Sequence, residues 1–186
     1  DYKCKDEHIN DWGDYIDNHI FEVLCNSDKE CYDYFRAWIY KLVCLGERPR
    51  VAIVLFGAMG CGKGKFTDNF AKFVLGQGQY CKNQSFTKMM KDTFTDYYTE
   101  KSLMIVEEMP EYDHKHKGDW DTMKSLSEDD RISKRSFMCA PVQGDNFLSF
   151  FINTNHFYSV NPDWAFRRAF LLECYPKYCG DFEYMS

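Results

Sequence analysis

Hydrophobic and polar positions divide the chain into two regimes. Between residues 9 and 25, Ile9, Ile16, Ile20, Phe21, Val23 and Leu24 recur at helical spacing. A cleaner stripe of Tyr32, Phe35, Trp38, Ile39, Leu42 and Val43 predicts a helix over about 29–45, capped by Gly46 and ended by Pro49. After Arg50 the period changes. Residues 51–56 are unbroken apolar, the pattern of a strand buried on both faces. The glycine-rich stretch GAMGCGKG follows, then a helix over about 63–75 that stops at Gly76. Three more apolar runs, 103–106, 147–152 and 169–172, predict strands. The first ends in Glu107 and Glu108, the second in Asn153, Thr154 and Asn155, and the third follows Arg167 and Arg168.

Strands interleaved with helices predict an α/β fold, a parallel sheet flanked by helices over residues 49–186, preceded by a small N-terminal helical segment over 1–48. That segment reads as a scaffold packed on the core rather than a partner-binding module. Ligands of such sheets bind beyond the carboxyl ends of the strands. The residues with chemical potential are expected at those ends in each case.

Composition narrows this picture. The chain has 186 residues, 45% of them hydrophobic and 18% aromatic, enough to bury a core and too apolar for disorder. No apolar run approaches the ~20 residues of a membrane span, and no secretory leader pattern is present. A start at Asp1 rather than Met suggests an excised or processed fragment. The nine cysteines are scattered, odd in number and without a C-x-x-C pair, which favours free thiols and a reducing compartment, host cytoplasm or nucleus, over a disulfide scaffold. His114 and His116, in DHKHKGD, read as part of a solvated loop rather than a metal site. The net charge of −6 is uneven. Residues 1–33 hold ten acids against Lys3, Lys5 and Lys29, a net of −7, so the remainder stands near +1 and can carry a local basic, nucleic-acid-binding surface.

The chemistry begins at Gly57-Ala-Met-Gly-Cys-Gly-Lys63, which fits G-x-x-x-x-G-K. Gly57, Gly60, Gly62 and Gly64 let backbone N–H groups turn inward around phosphates, the next helix adds the positive end of its dipole, and Lys63 grips the terminal phosphates with Lys65 nearby. The hydroxyl residue that usually follows the lysine and touches magnesium is replaced by Gly64, and the nearest hydroxyl is Thr67. Magnesium is then expected to rest mainly on water and acids. Glu107 is the metal-side candidate and Glu108 the base that polarises the attacking water. Asn155, just past its apolar run, is preferred over Asn153 to orient water and sense the γ-phosphate. Arg167 or Arg168 could complete a neighbouring subunit's site as an arginine finger.

The order of these motifs (phosphate loop, IVEE, INTN, then RR) resembles the superfamily 3 helicases, compact AAA+-like ATPases of viruses and related plasmids. The stretches MIVEEMP and NTNHFYSV…FRRAF look most like the helicase part of poxvirus-type and phage-type primase–helicases. The likeness runs from about Pro49 to Tyr175. It implies an AAA+-like P-loop NTPase that hydrolyses ATP with Mg2+ and translocates on single-stranded DNA, with RNA also possible, as a homo-oligomeric, hexameric ring. A primase or origin-binding domain would lie outside these residues, and no membrane is involved. The family also carries a basic pore-facing segment at the place of SEDDRISKRSF. This makes Lys134 and Arg135 candidate strand contacts, with Arg131 and Lys124 weaker ones. Two rivals remain at this stage. GxxGxGKG also looks like the loop of adenylate kinases, but IVEE and INTN have no role there. Gly64 also leaves room for a non-enzymatic nucleotide-binding assembly module.

Overall fold

The computed structural model describes residues 6–83, 85–107, 109 and 117–179, with residues 6–12, 117 and 158 described for the backbone alone. Its centre is a five-stranded, wholly parallel sheet with strand order β2-β3-β6-β1-β7. The strands are β1 (Ala52–Phe56), β2 (Tyr80–Asn83), β3 (Leu103–Val106), β6 (Ser149–Thr154) and β7 (Ala169–Glu173). A separate antiparallel hairpin joins β4 (Arg131–Lys134) to β5 (Val142–Asp145). This is the parallel α/β sheet flanked by helices that the pattern predicts, the architecture of a P-loop-type domain.

Strand alternation sorts the core into two layers. Ile53, Leu55, Leu103, Ile105 and Phe151 face one side. There they meet the N-terminal helices and α3 (Lys63–Asn69), which continues as a π-helical stretch (Phe70–Leu75). Val54, Met104, Val106, Phe150 and Ile152 face the other side, toward α4 (Phe86–Lys91), α5 (Lys117–Glu128) and α6 (Pro162–Arg168). Both faces are covered, which is why the strands read as apolar runs without alternation.

The helical N-terminal segment packs on the first layer. α1 (Asp6–His19) runs on as a π-helical turn (Ile20–Leu24), and α2 (Lys29–Val43) follows. Asp28 caps α2 by accepting from the backbone N–H groups of Glu30 and Cys31. Trp38 stacks on Phe151, with ring centroids 5.0 Å apart, and its indole N–H donates to Val51 O at 2.7 Å. The buried aromatic thus finds the polar partner it needs.

Several expectations are corrected. β2 was not anticipated: TyrCysLysAsn is a half-buried edge strand without a continuous apolar run. The basic segment SEDDRISKRSF closes α5 and then forms β4. The run at 147–152 is shifted by two residues. Phe147 is exposed, and the strand continues through the fully buried Asn153 and Thr154. Among the described residues, no helix is long and apolar enough to cross a membrane, and the eight described cysteines are free.

Candidate nucleotide site

Parallel pairing brings the carboxyl ends of β1, β3 and β6 to one edge, and three polar segments meet there. The loop after β1 turns directly back on itself. Gly57 has φ +144°, and a Cβ there would lie 2.7 Å from the carbonyl oxygen of Cys174, just past the end of β7. No side chain fits such a contact. Gly62, at φ +96°, forms the N-cap of α3, and a Cβ there would meet the imidazole of His19 at 3.0 Å. The N-terminal helices therefore press directly on this loop. Gly60 also has positive φ, whereas Gly64 lies within α3 and Lys65 is exposed beside it.

Lys63 is 7% exposed and curls over its own loop. Its ammonium donates to Gly57 O at 2.8 Å, Ala58 O at 2.9 Å and Asn155 Oδ1 at 3.3 Å, and approaches Cys61 Sγ at 3.4 Å. An ammonium held by carbonyls, an amide and a sulfur, with no carboxylate partner among the described residues, is suited to exchange these acceptors for phosphate oxygens.

The acidic side is a connected network. Glu107 leaves β3 with its backbone N–H on Asn83 O at 2.9 Å. Its carboxylate accepts from Lys82 at 3.0 Å and from the Asn153 amide nitrogen at 3.2 Å. The same nitrogen donates to Thr67 Oγ1 at 2.9 Å, and Thr67 donates to Gly64 O at 3.2 Å. Lys82 also holds Asp68, at 2.8 Å and 2.9 Å to its two oxygens. Burial, the largest single influence on Lys82, lowers its pKa, but the hydrogen bonds to Asp68 and Glu107 together outweigh it and hold the pKa above the ordinary lysine value.

Both asparagines of the INTN motif thus belong to the site. Asn155 meets the lysine, while Asn153, the less favoured of the two, is the one that joins Thr67 to Glu107. Thr67 is fully buried and reaches the acidic side through Asn153 rather than through open solvent. Lys82 was missed because it sits on the unanticipated strand. Glu108 lies outside the described residues, as do His114 and His116.

The arginines do not lie at a carboxyl strand end, where they were expected. Arg167 and Arg168 end α6 and therefore precede β7, whose first residue, Ala169, pairs with Ala52 at the start of β1. They lie at the amino edge of the sheet, about five residues or roughly 16 Å along the strands from Gly57. Arg168 is bound to Glu128 at the end of α5, with its Nε 2.7 Å from Oε1, and Arg167 is exposed. Lys134, on β4, pairs with Glu100. The Arg135 backbone N–H donates to Thr95 Oγ1 at 2.9 Å, and the turn beyond presents Phe137 and Met138, 69% and 90% exposed.

Fold and site define a parallel α/β domain of the P-loop type with a lysine-filled glycine loop opposite an acid–amide network. Residues 55–168 match the family described as "Family of unknown function (DUF5906)", and the chain belongs to that family. No curated protein matches it. Among solved structures it is similar to the apo structure of the NrS-1 C terminal region (305-718), with a TM-score of 0.74 and 22% identity over 87% of this chain and 38% of that one. An A form apo structure of the same region gives a TM-score of 0.71 at 22% identity, covering 87% of this chain and 37% of that one. The likeness is one of fold, and this chain spans less than two fifths of those chains.

Proposed function

We propose that this chain is the ATP-hydrolysing motor of a replication helicase of the superfamily 3 type. One observation supports the reading above all: the Lys63 ammonium, the Glu107 carboxylate and the amides of Asn153 and Asn155 converge at the carboxyl ends of three adjacent parallel strands. A triphosphate on the loop would take the Lys63 ammonium from its carbonyl acceptors. Asn155, already on that ammonium, stands where the terminal phosphate would be sensed, and Glu108, next after Glu107, is assigned the attacking water.

The donors on the acidic side suit magnesium. Glu107, the Thr67 hydroxyl and Asn153 Oδ1, a buried oxygen without a hydrogen-bond partner among the described residues, are all hard oxygen atoms. Among the described residues no group of three or more His, Cys, Asp or Glu forms a dedicated cage. That agrees with an ion that keeps its waters and arrives with the nucleotide. Glu107 would hold it, supported by Asn153 and Thr67. Such an ion supplies neutralisation of charge developing on the phosphates.

In this reading Arg167 cannot serve its own chain's loop from the opposite edge of the sheet, so it serves a neighbour's in a ring. The β4–β5 hairpin, with Lys134 and Arg135, tracks single-stranded DNA. The deciding experiment is ATP turnover with and without single-stranded DNA, for the wild type and Lys63→Ala. The expected result is DNA-stimulated turnover that vanishes in a folded Lys63→Ala protein. Turnover unchanged by that substitution would remove the loop from the reading.

A further inference from the structure

The loop that holds Lys63 also holds a thiol for which the nucleotide chemistry has no use. Cys61 is 5% exposed, and its sulfur lies 3.4 Å from the Lys63 ammonium. The thiol that most influences it is that of the buried Cys174, just past the end of β7, whose own Sγ lies 3.9 Å from Leu172 O. The two backbones are already pinned together: the Cys174 N–H donates to Phe56 O at 2.7 Å, and the Cys174 carbonyl lies against Gly57. Two thiols on backbones already held together, one of them beside a fixed cation, form an arrangement suited to forming a disulfide.

We propose that Cys61 is a site of oxidation by hydrogen peroxide or a related small peroxide, resolved by Cys174 as an intramolecular disulfide tying the phosphate loop to the end of β7. The Cys61 thiolate attacks one peroxide oxygen. The O–O bond breaks, and the departing hydroxide takes a proton to leave as water, so Cys61 becomes a sulfenic acid. The Cys174 sulfur then attacks the Cys61 sulfur, the S–O bond breaks, and the second water departs with the Cys174 proton. Two thiols lose two electrons and two protons, and one peroxide becomes two waters.

Electrostatics assign the roles within the pair. The hydrogen bond with Cys174, helped by the Lys63 ammonium, outweighs burial and brings Cys61 down to about 6, while Cys174 is held well above the ordinary thiol range. Cys61 is therefore the attacking thiolate and Cys174 the protonated resolving partner. Cys25, whose charge also bears on Cys174, is pushed up to about 12 by burial and stays protonated. The exposed Cys179, whose thiol donates to Met59 O at 3.3 Å, is the competing partner on the outer side of the loop.

A tie at Cys61 holds the loop in its lysine-filled shape, and this consequence rests on the nucleotide reading above. Folded protein is treated with hydrogen peroxide, digested and mapped by mass spectrometry, with nucleotide binding measured in parallel by a fluorescent ATP analogue. The expected product is a Cys61–Cys174 peptide pair, two hydrogens lighter than its parts, reversed by dithiothreitol and absent from protein unfolded before oxidation. In Cys174→Ala the sulfenic acid should persist at Cys61 and be trapped by dimedone. Loss of analogue binding on oxidation, restored by dithiothreitol, would show that the tie closes the loop. A link from Cys61 to Cys179, a link from Cys174 to Cys25, or oxidation confined to the exposed Cys44, Cys139 and Cys179 would overturn the proposal. If the reduced wild type binds no analogue, the nucleotide reading fails, and the peptide map still decides the disulfide.

Discussion

The Asn153 amide nitrogen stands 3.2 Å from Glu107 Oε1, and this contact joins the ends of β6 and β3 at the acidic side of the site. The nitrogen also serves Thr67, so one buried amide orders a carboxylate and a hydroxyl from two other elements. Because Glu107 can only accept, the nitrogen rather than the oxygen of Asn153 must face it. Asn153→Ala should destabilise the fold by about 1–3 kcal/mol through the buried groups it leaves unpaired, measured as a fall in the urea midpoint at unchanged slope. Asn153→Asp should cost more at neutral pH than at acid pH, because it sets a second carboxylate against Glu107. Equal stability of the two variants across pH would contradict this arrangement.

Gly64 occupies the position where a hydroxyl is usual, yet the fold has room for one. A Cβ there would lie 3.6 Å from Glu107 Oε1, an ordinary contact, and the backbone is helical. Gly64→Ser should fold with stability raised by about 0.5 kcal/mol from helix propensity alone. It should also lower the magnesium concentration that supports half-maximal ATP turnover, since its hydroxyl points into the Glu107 corner. A stability gain with an unchanged magnesium requirement would place the ion elsewhere.

The two adjacent arginines should separate cleanly. Arg168→Ala loses the pair with Glu128 and should lower thermal stability measurably, because that side chain is 12% exposed. Arg167→Ala, exposed at the end of α6, should leave the melting temperature unchanged. Its ATP turnover should fall on the order of 10³-fold at protein concentrations where the wild type assembles. Mixing Arg167→Ala with Lys63→Ala should restore some turnover, since one chain brings an intact loop and the other an intact arginine. A mixture that assembles, binds ATP and stays inactive would defeat the shared-site idea.

Lys134 is tied to Glu100, so its charge is partly spent within the chain. Glu100→Gln should free it and raise single-stranded DNA affinity, with a salt dependence steeper by about one counterion. Lys134→Ala with Arg135→Ala should do the reverse. Fluorescence anisotropy over a salt series checks both, and parallel slopes for all three proteins would move the strand contact off the hairpin.

The sequence by itself determined the elements whose signal is local. The apolar runs of β1 and β3, the glycine loop with its lysine and the stop at Gly76 are all set by burial on both sheet faces or by backbone freedom at single glycines, and these depend on neighbours only a few residues away. Tertiary structure decided what depends on partners distant in the chain. β2 is a strand because Tyr80 to Asn83 find the edge of β3, not because of their own polarity. Asn153 and Thr154 extend β6 because Thr67 and Glu107 take the Asn153 amide and the His156 backbone takes the Thr154 hydroxyl, which makes polar side chains tolerable there. Arg167 and Arg168 look adjacent to the other motifs in the chain, but parallel connection sends them to the amino edge, because each crossover returns to the end where the previous strand began. Lys82 meets Glu107, and Cys61 meets Cys174, only because the strand order 2-3-6-1-7 places β2 beside β3 and β7 beside β1. That order is set by pairing between residues as far apart as Ala52 and Ala169, 117 positions, a separation at which no periodicity survives.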